Sequence, residues 1–460
     1  MTTLLPLAVV AAYALLLILV ASRARAARHF EEFSLAKRSL PVVLIFASLA
    51  ATYVGPGFSI GFAGKGFKTG LLFWLVGLAY ALQNILVGLF IAPRLRAMQG
   101  CHTLGDAVGQ KYDRLCHVLA GIISVGLCAG FAAVMAKAGG DVLHGMFALP
   151  RWLSITIVAA ATAMYTTVGG LRASVITDAF QFTTFAILLP VIFFVIFFAR
   201  ARTDASAFVT ELSAATSVGL DSTKMIDLIG LIAAFFLGEM LIPPYANRAL
   251  ASRTTTASRN SFILAGVFSS VWFMVMISLG VSARGLIPPQ TPEDQVLMRL
   301  VKTVMPLAGH PLLLVALVSV IMSSLDSLLN AGAVAFAQDV VKPFAHISDK
   351  AALNIGRCAT IAIAAVAAVG ALAVQSIISG LLVCYTIWAP AILPALVLGL
   401  LIPAPKPLAA ILSMAAGIVV ACKFEFFSPH TIPTIIVAIA ASLGAYVLGH
   451  LLAVLSGRLK

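Results

Sequence analysis

Ala47-Ser48-Leu49-Ala50-Ala51-Thr52-Tyr53-Val54-Gly55-Pro56-Gly57-Phe58-Ser59-Ile60-Gly61-Phe62-Ala63-Gly64 is an apolar run interrupted at Gly55-Pro56-Gly57. A second apolar run, near 225–247, is interrupted at Pro243-Pro244. Hydrocarbon offers no water to backbone groups freed by a broken helix, so such a break survives where it contacts protein or lines a cavity. One break alone is equally a kink bent for packing. Two breaks at the same ordinal place in each half of the chain point instead to the binding centre of a secondary carrier.

Composition sets the same frame. Of 460 residues, 61% are apolar and 10% are charged, far below the roughly one quarter charged in soluble domains. The net charge of +13 then reflects Lys and Arg in loops on one membrane face, not a nucleic-acid partner. Six scattered cysteines, with no CxxC, read as small buried residues. Neither HExxH, GxSxG, a P-loop spacing nor a clustered His/Cys set occurs, which argues against an enzyme.

Thirteen spans are expected, near 3–22, 40–64, 70–92, 112–138, 152–169, 173–199, 225–247, 259–283, 307–337, 352–374, 378–402, 407–422 and 430–456. The excess of Lys and Arg in the odd-numbered connections puts the N-terminus outside and the C-terminus in the cytoplasm. The first run has its Arg cluster after it rather than before, so it is expected to be an uncleaved helix. Segments 200–224 and 284–306 are expected to hold short surface helices. The second and seventh spans, which carry the breaks, enter from opposite sides. The chain is therefore a single transport domain: an extra helix and loop (3–39), a five-helix repeat (40–199), its inverted counterpart (225–402) and two further helices (403–460). No signalling domain is expected.

The breaks nominate the chemistry. Tyr53, Gly55, Gly57, Phe58, Glu239 and Tyr245 are the candidate solute-binding residues. N–H groups freed after Pro56 suit a carboxylate, and carbonyls freed from Ala51 to Val54 suit a cation. Glu239 either faces the cavity or pairs with a cation such as Arg248. On the ninth span Ser319, Ser323, Asp326 and Asn330 share a stripe with Ser327 beside it. Hydroxyls with a carboxylate suit a hard cation such as Na⁺, although membrane serines also serve packing. Asp178 is a helix N-terminal acid, a partner for Arg172, or a cation ligand.

Gly169-Gly170-Leu171-Arg172-Ala173-Ser174 through Thr177-Asp178 and Gln181 resembles the signature of the sodium:solute symporters. Phe33-Ser34-Leu35-Ala36-Lys37-Arg38-Ser39-Leu40, Arg248-Ala249-Leu250-Ala251, Ser323 to Asn330, and Gln338-Asp339-Val340-Val341-Lys342 fit the same family. The resemblance implies an all-α leucine-transporter fold in the inner (plasma) membrane and sodium-driven uptake of a small organic solute by alternating access. It implies a sodium site from the carbonyls of Ala51, Val54 and Val320 and the hydroxyls of Ser323 and Ser324. It implies a second cation site at Asp178, Asp326 and Ser327. Two features depart from the family: Asp326 stands where relatives often have Ser or Ala, which also suits proton coupling, and Pro243-Pro244 replaces a frequent Pro-His. Ile242 and Pro244, where tryptophan would be wanted, disfavour choline, while Ala51-Thr52-Tyr53 and Gly170 to Ser174 look most like pantothenate carriers. The expected solute bears a carboxylate, such as an amino acid, pantothenate or a monocarboxylate. A membrane sensor on a carrier scaffold is the remaining alternative. The resemblance leaves the oligomeric state open, and a monomer is compatible with it.

Overall fold

The computed structural model describes residues 4–23, 27–203, 206, 222–428 and 432–458. Most of the expected surface helix at 200–224 lies outside them. The described residues form helices and no strand; the one β-bridge joins Leu40 to Ser252. Among the described residues nine helices are long and apolar enough to cross a membrane, and a tenth span is the bent pair Val42–Tyr53 and Gly57–Thr69. The apolar stretches Ala8–Ala21 and Met225–Leu237 are shorter. Length and apolarity alone therefore do not reach thirteen.

One reason is that 152–169 and 173–199 run together as Arg151–Thr203, broken only at Gly170. Its apolar portion is 50 residues long, about 75 Å if straight, more than twice a hydrocarbon core of about 30 Å. Gly170 takes φ 57° and ψ −156°, a conformation open essentially to glycine alone. A Cβ there would also lie 2.6 Å from Phe33 Cα. This residue makes the expected sharp stop.

The two breaks differ in construction. The first bends its halves by 57°, and Pro56 precedes the first turn of the second half, where a missing N–H costs nothing. The second does not fall at Pro243-Pro244 as expected. Its first half ends at Leu237, Gly238–Ile242 is non-helical, and the prolines open the second half, Pro243–Ala251. Leu241 provides the reversal at φ 52°. Prolines suit the start of a helix better than its end, which accounts for the shift.

Leu40 N–H donates to Ala251 C=O at 3.3 Å and Arg253 N–H to Leu40 C=O at 2.8 Å. The start of the first broken span thus lies beside the end of the second, so the two run in opposite senses. The helix His310–Val341 passes behind both breaks. Of its apolar window 94% is buried, against 22% for Arg151–Arg200, so it is the core and the latter faces lipid. Exposed Ile, Val and Phe side chains such as Phe90, Ile122, Phe194 and Val369 complete that lipid-facing surface. The expected surface helix within 284–306 is present at Val296–Val304.

Candidate functional site

Where the buried helix crosses the first break, oxygens converge. Ser323 Oγ lies 3.3 Å from Ala51 O and 3.0 Å from Val320 O, and Ser324 Oγ lies 3.3 Å from Val320 O. Gly55 permits this approach, since a Cβ there would stand 2.7 Å from Ser324 Oγ. Spacings near 3 Å suit a hard cation whose oxygen contacts run about 2.3–2.6 Å, the range of calcium-sized ions. Four of the five expected sodium ligands therefore stand together. Val54 O is already engaged, accepting from Ser59 Oγ at 2.6 Å, and Ser59 in turn accepts from Trp272 Nε1.

One turn further along, Asp178, Asp326 and Ser327 are brought together as expected, but around a cation of the protein itself. Arg248 is fully buried and donates to Asp178 Oδ2 and Ser48 Oγ, both at 2.9 Å, and to Ser327 Oγ. Ser48 Oγ also donates to Asp178 Oδ2 at 2.5 Å. Asp326 accepts from Ser174 and Ser327, both at 3.2 Å, and weakly from Thr177 at 3.4 Å. Arg172 is not the partner of Asp178, and Arg248 is not the partner of Glu239. Two carboxylates against one guanidinium leave one formal negative charge without a matching side chain in this cluster, and Asp178 Oδ1 has no hydrogen-bond partner. The remaining polar positions of the stripe serve packing contacts: Ser319 meets Tyr13 at 2.6 Å, and Asn330 reaches Phe33 O at 3.5 Å.

Glu239 lies inside the second break. Its Oε2 accepts from Tyr80 at 2.5 Å and from Tyr245 at 2.8 Å, and its Oε1 accepts from Tyr385 at 2.8 Å. Tyr53 from the first break stands edge-on to Tyr245, with ring centroids 4.5 Å apart, and Phe58 packs 4.3 Å from Tyr80. Tyr53, Phe58, Glu239 and Tyr245 thus share one chamber, as expected. Gly55 belongs to the cation side, and Gly57 abuts Leu381, which a Cβ would strike at 2.1 Å. Tyr80 and Ser48 escaped the sequence reading because each is a lone polar residue in an apolar run; only a partner from another helix marks them.

The sequence model of the sodium:solute symporter family matches residues 33–417. Similar proteins include the uncharacterized symporter YidK of Escherichia coli strain K12, 23% identical over 338 residues, or 67% of this chain and 57% of that one. The chain thus spans little more than half of that relative. The sodium/pantothenate symporter of Haemophilus influenzae is 24% identical, covering 69% of this chain and 68% of that one. The sodium/glucose cotransporter of Vibrio parahaemolyticus is 24% identical, covering 72% and 67%. The fold is similar to that of a Na⁺-coupled sialic acid symporter in a substrate-bound outward-open state. The TM-score is 0.82 at 16% identity, over 97% of this chain and 98% of that one.

Proposed function

Since the chain belongs to the sodium:solute symporter family, we propose that it is a sodium-coupled carrier that imports a small organic solute by alternating access. One observation carries the reading: on the most buried helix the Ser323 hydroxyl meets the Ala51 carbonyl released at the first break, beside Ser324 and the Val320 carbonyl of its own helix. Ala51, Val320, Ser323 and Ser324 hold the ion, and Val54 joins them when Ser59 releases its carbonyl. An ion shared between a rigid helix and a broken one stabilises one arrangement of the two, which is how a gradient biases transport.

The uncompensated charge at Asp178 and Asp326 favours a second monovalent cation there, beside the guanidinium of Arg248. A proton on one carboxylate satisfies the same charge count, and this keeps proton coupling as the second reading.

The solute sits between the breaks, against Tyr53, Phe58, Glu239 and Tyr245. A carboxylate-bearing solute suits the start of the half-helix after Pro56, with an amino acid ahead of pantothenate and simple monocarboxylates. The repeats span 40–199 and 225–402, the protein sits in the plasma membrane, and its N-terminus faces outside.

The test is uptake into proteoliposomes of amino acids, monocarboxylates, pantothenate, choline and sugars, with sodium and proton gradients imposed separately. A sodium gradient should drive accumulation, and Ser323→Ala with Ser324→Ala should raise the half-saturating sodium concentration roughly tenfold, about 1.4 kcal/mol. Accumulation driven by a proton gradient without sodium would establish the second reading instead.

A further inference from the structure

Glu239 is a fully buried acid at membrane depth with no ion pair among the described residues. Buried charges in a membrane are ordinarily paired, because leaving one uncompensated is costly. Three phenol hydroxyls satisfy its lone pairs but bring no charge. They arrive from three places: Tyr80 on Trp74–Leu86, Tyr245 just after the second break, and Tyr385 on Ile377–Leu401.

The surroundings specify which cation would complete the site. Tyr53, Tyr80, Tyr245 and Tyr385 present rings around the carboxylate, backed by Phe58 and by Phe235, whose centroid lies 5.3 Å from that of Tyr385. A carboxylate set among aromatic rings is matched to an organic ammonium, which gains from the π faces as well as from the charge. The Tyr53 hydroxyl is buried with no partner, so the chamber has a polar atom to spare for the solute. The charge nearby has the same sign. A cavity of about 570 Å³ between Met225–Leu237 and Ile377–Leu401 is lined, among the described residues, by Asp227 and Glu425 and by no basic side chain. Its lining includes Ala234 and Thr386, the chain neighbours of Phe235 and Tyr385.

We propose that the solute carries a protonated amine, and that this ammonium binds Glu239 inside the ring of Tyr53, Tyr80, Tyr245 and Tyr385. The proposal rests on the carrier reading and narrows it: solutes with a carboxylate alone fall away, and amino acids or other compact amines remain. No described side chain supplies the matching charge, so solute and site are complementary only when the amine is charged.

The test uses purified full-length protein in detergent and reads thermal stabilisation. The probes are the proteinogenic amino acids and small primary and secondary amines, each beside its N-acetylated form, together with monocarboxylates and sugars. In sodium chloride at least one amine should raise the unfolding midpoint, and its N-acetyl form should not. Glu239→Gln should weaken that amine roughly a hundredfold, the scale of removing one partner from a buried charge pair. The same variant should keep the stabilisation caused by sodium alone, which also shows that it is folded. Tyr385→Phe, which removes one donor and keeps the ring, should weaken the amine less. The proposal falls if no amine stabilises the protein, if an N-acetyl form does as well as its parent, or if Glu239→Gln abolishes the sodium response instead. Failure of the carrier reading looks different: amine binding persists while a sodium gradient drives no accumulation.

Discussion

Arg248 faces Asp178 and, through Ser327, Asp326, and its removal would leave two acids in a sealed interior. Arg248→Ala should lower stability by about 3–5 kcal/mol, read as a large fall in the unfolding midpoint. Adding Asp178→Asn to that variant should restore part of the loss, because the acid left unpaired is then neutral. A midpoint unchanged by Arg248→Ala would mean that the pair is solvated. Serine carries the finer positioning here. Ser48 accepts from Arg248 and donates to Asp178, so it holds the guanidinium and the carboxylate in one plane of contact without adding charge.

At the scale of the element, the breaks set what was legible. Gly55-Pro56-Gly57 declares itself because proline removes a backbone donor and the flanking glycines loosen the backbone, and the structure bends there. Pro243-Pro244 misplaced its break by one turn, since proline can end a helix or begin one and only Leu241, an ordinary residue at positive φ, distinguishes the cases. The oxygen cluster on the buried helix was legible from spacing, because hydroxyls and a carboxylate recur there on one stripe. The tyrosine ring was legible only in part: Tyr53 and Tyr245 flank the breaks and Tyr385 is an aromatic candidate on the eleventh span, whereas Tyr80 comes from another helix and alone reads as a packing aromatic. Gly170 offers a direct test of element geometry. Gly170→Ala should cost about 1–3 kcal/mol, from its backbone conformation and from the collision with Phe33. An alanine variant with an unchanged unfolding midpoint would show that the chain turns elsewhere.

For the whole molecule, opposed broken spans tied at Leu40 and Ser252 fix which loops share a face. Lys350 belongs to the face assigned to the cytoplasm and Arg299 to the opposite one, and both are exposed. In a background lacking the exposed Cys358, a membrane-impermeant maleimide applied to intact cells should label Arg299→Cys and spare Lys350→Cys until the cells are opened. The reverse pattern would invert the assignment. The Asp178–Arg248–Asp326 cluster also bears on how the protein is made. A chain emerging from the ribosome delivers Asp178 first, Arg248 next and Asp326 last, with each domain assembled as it appears. The segment that brings Arg248 therefore enters a bilayer where its counter-charge, Asp178, is already in place, and order of synthesis spares the arginine a lone passage through hydrocarbon.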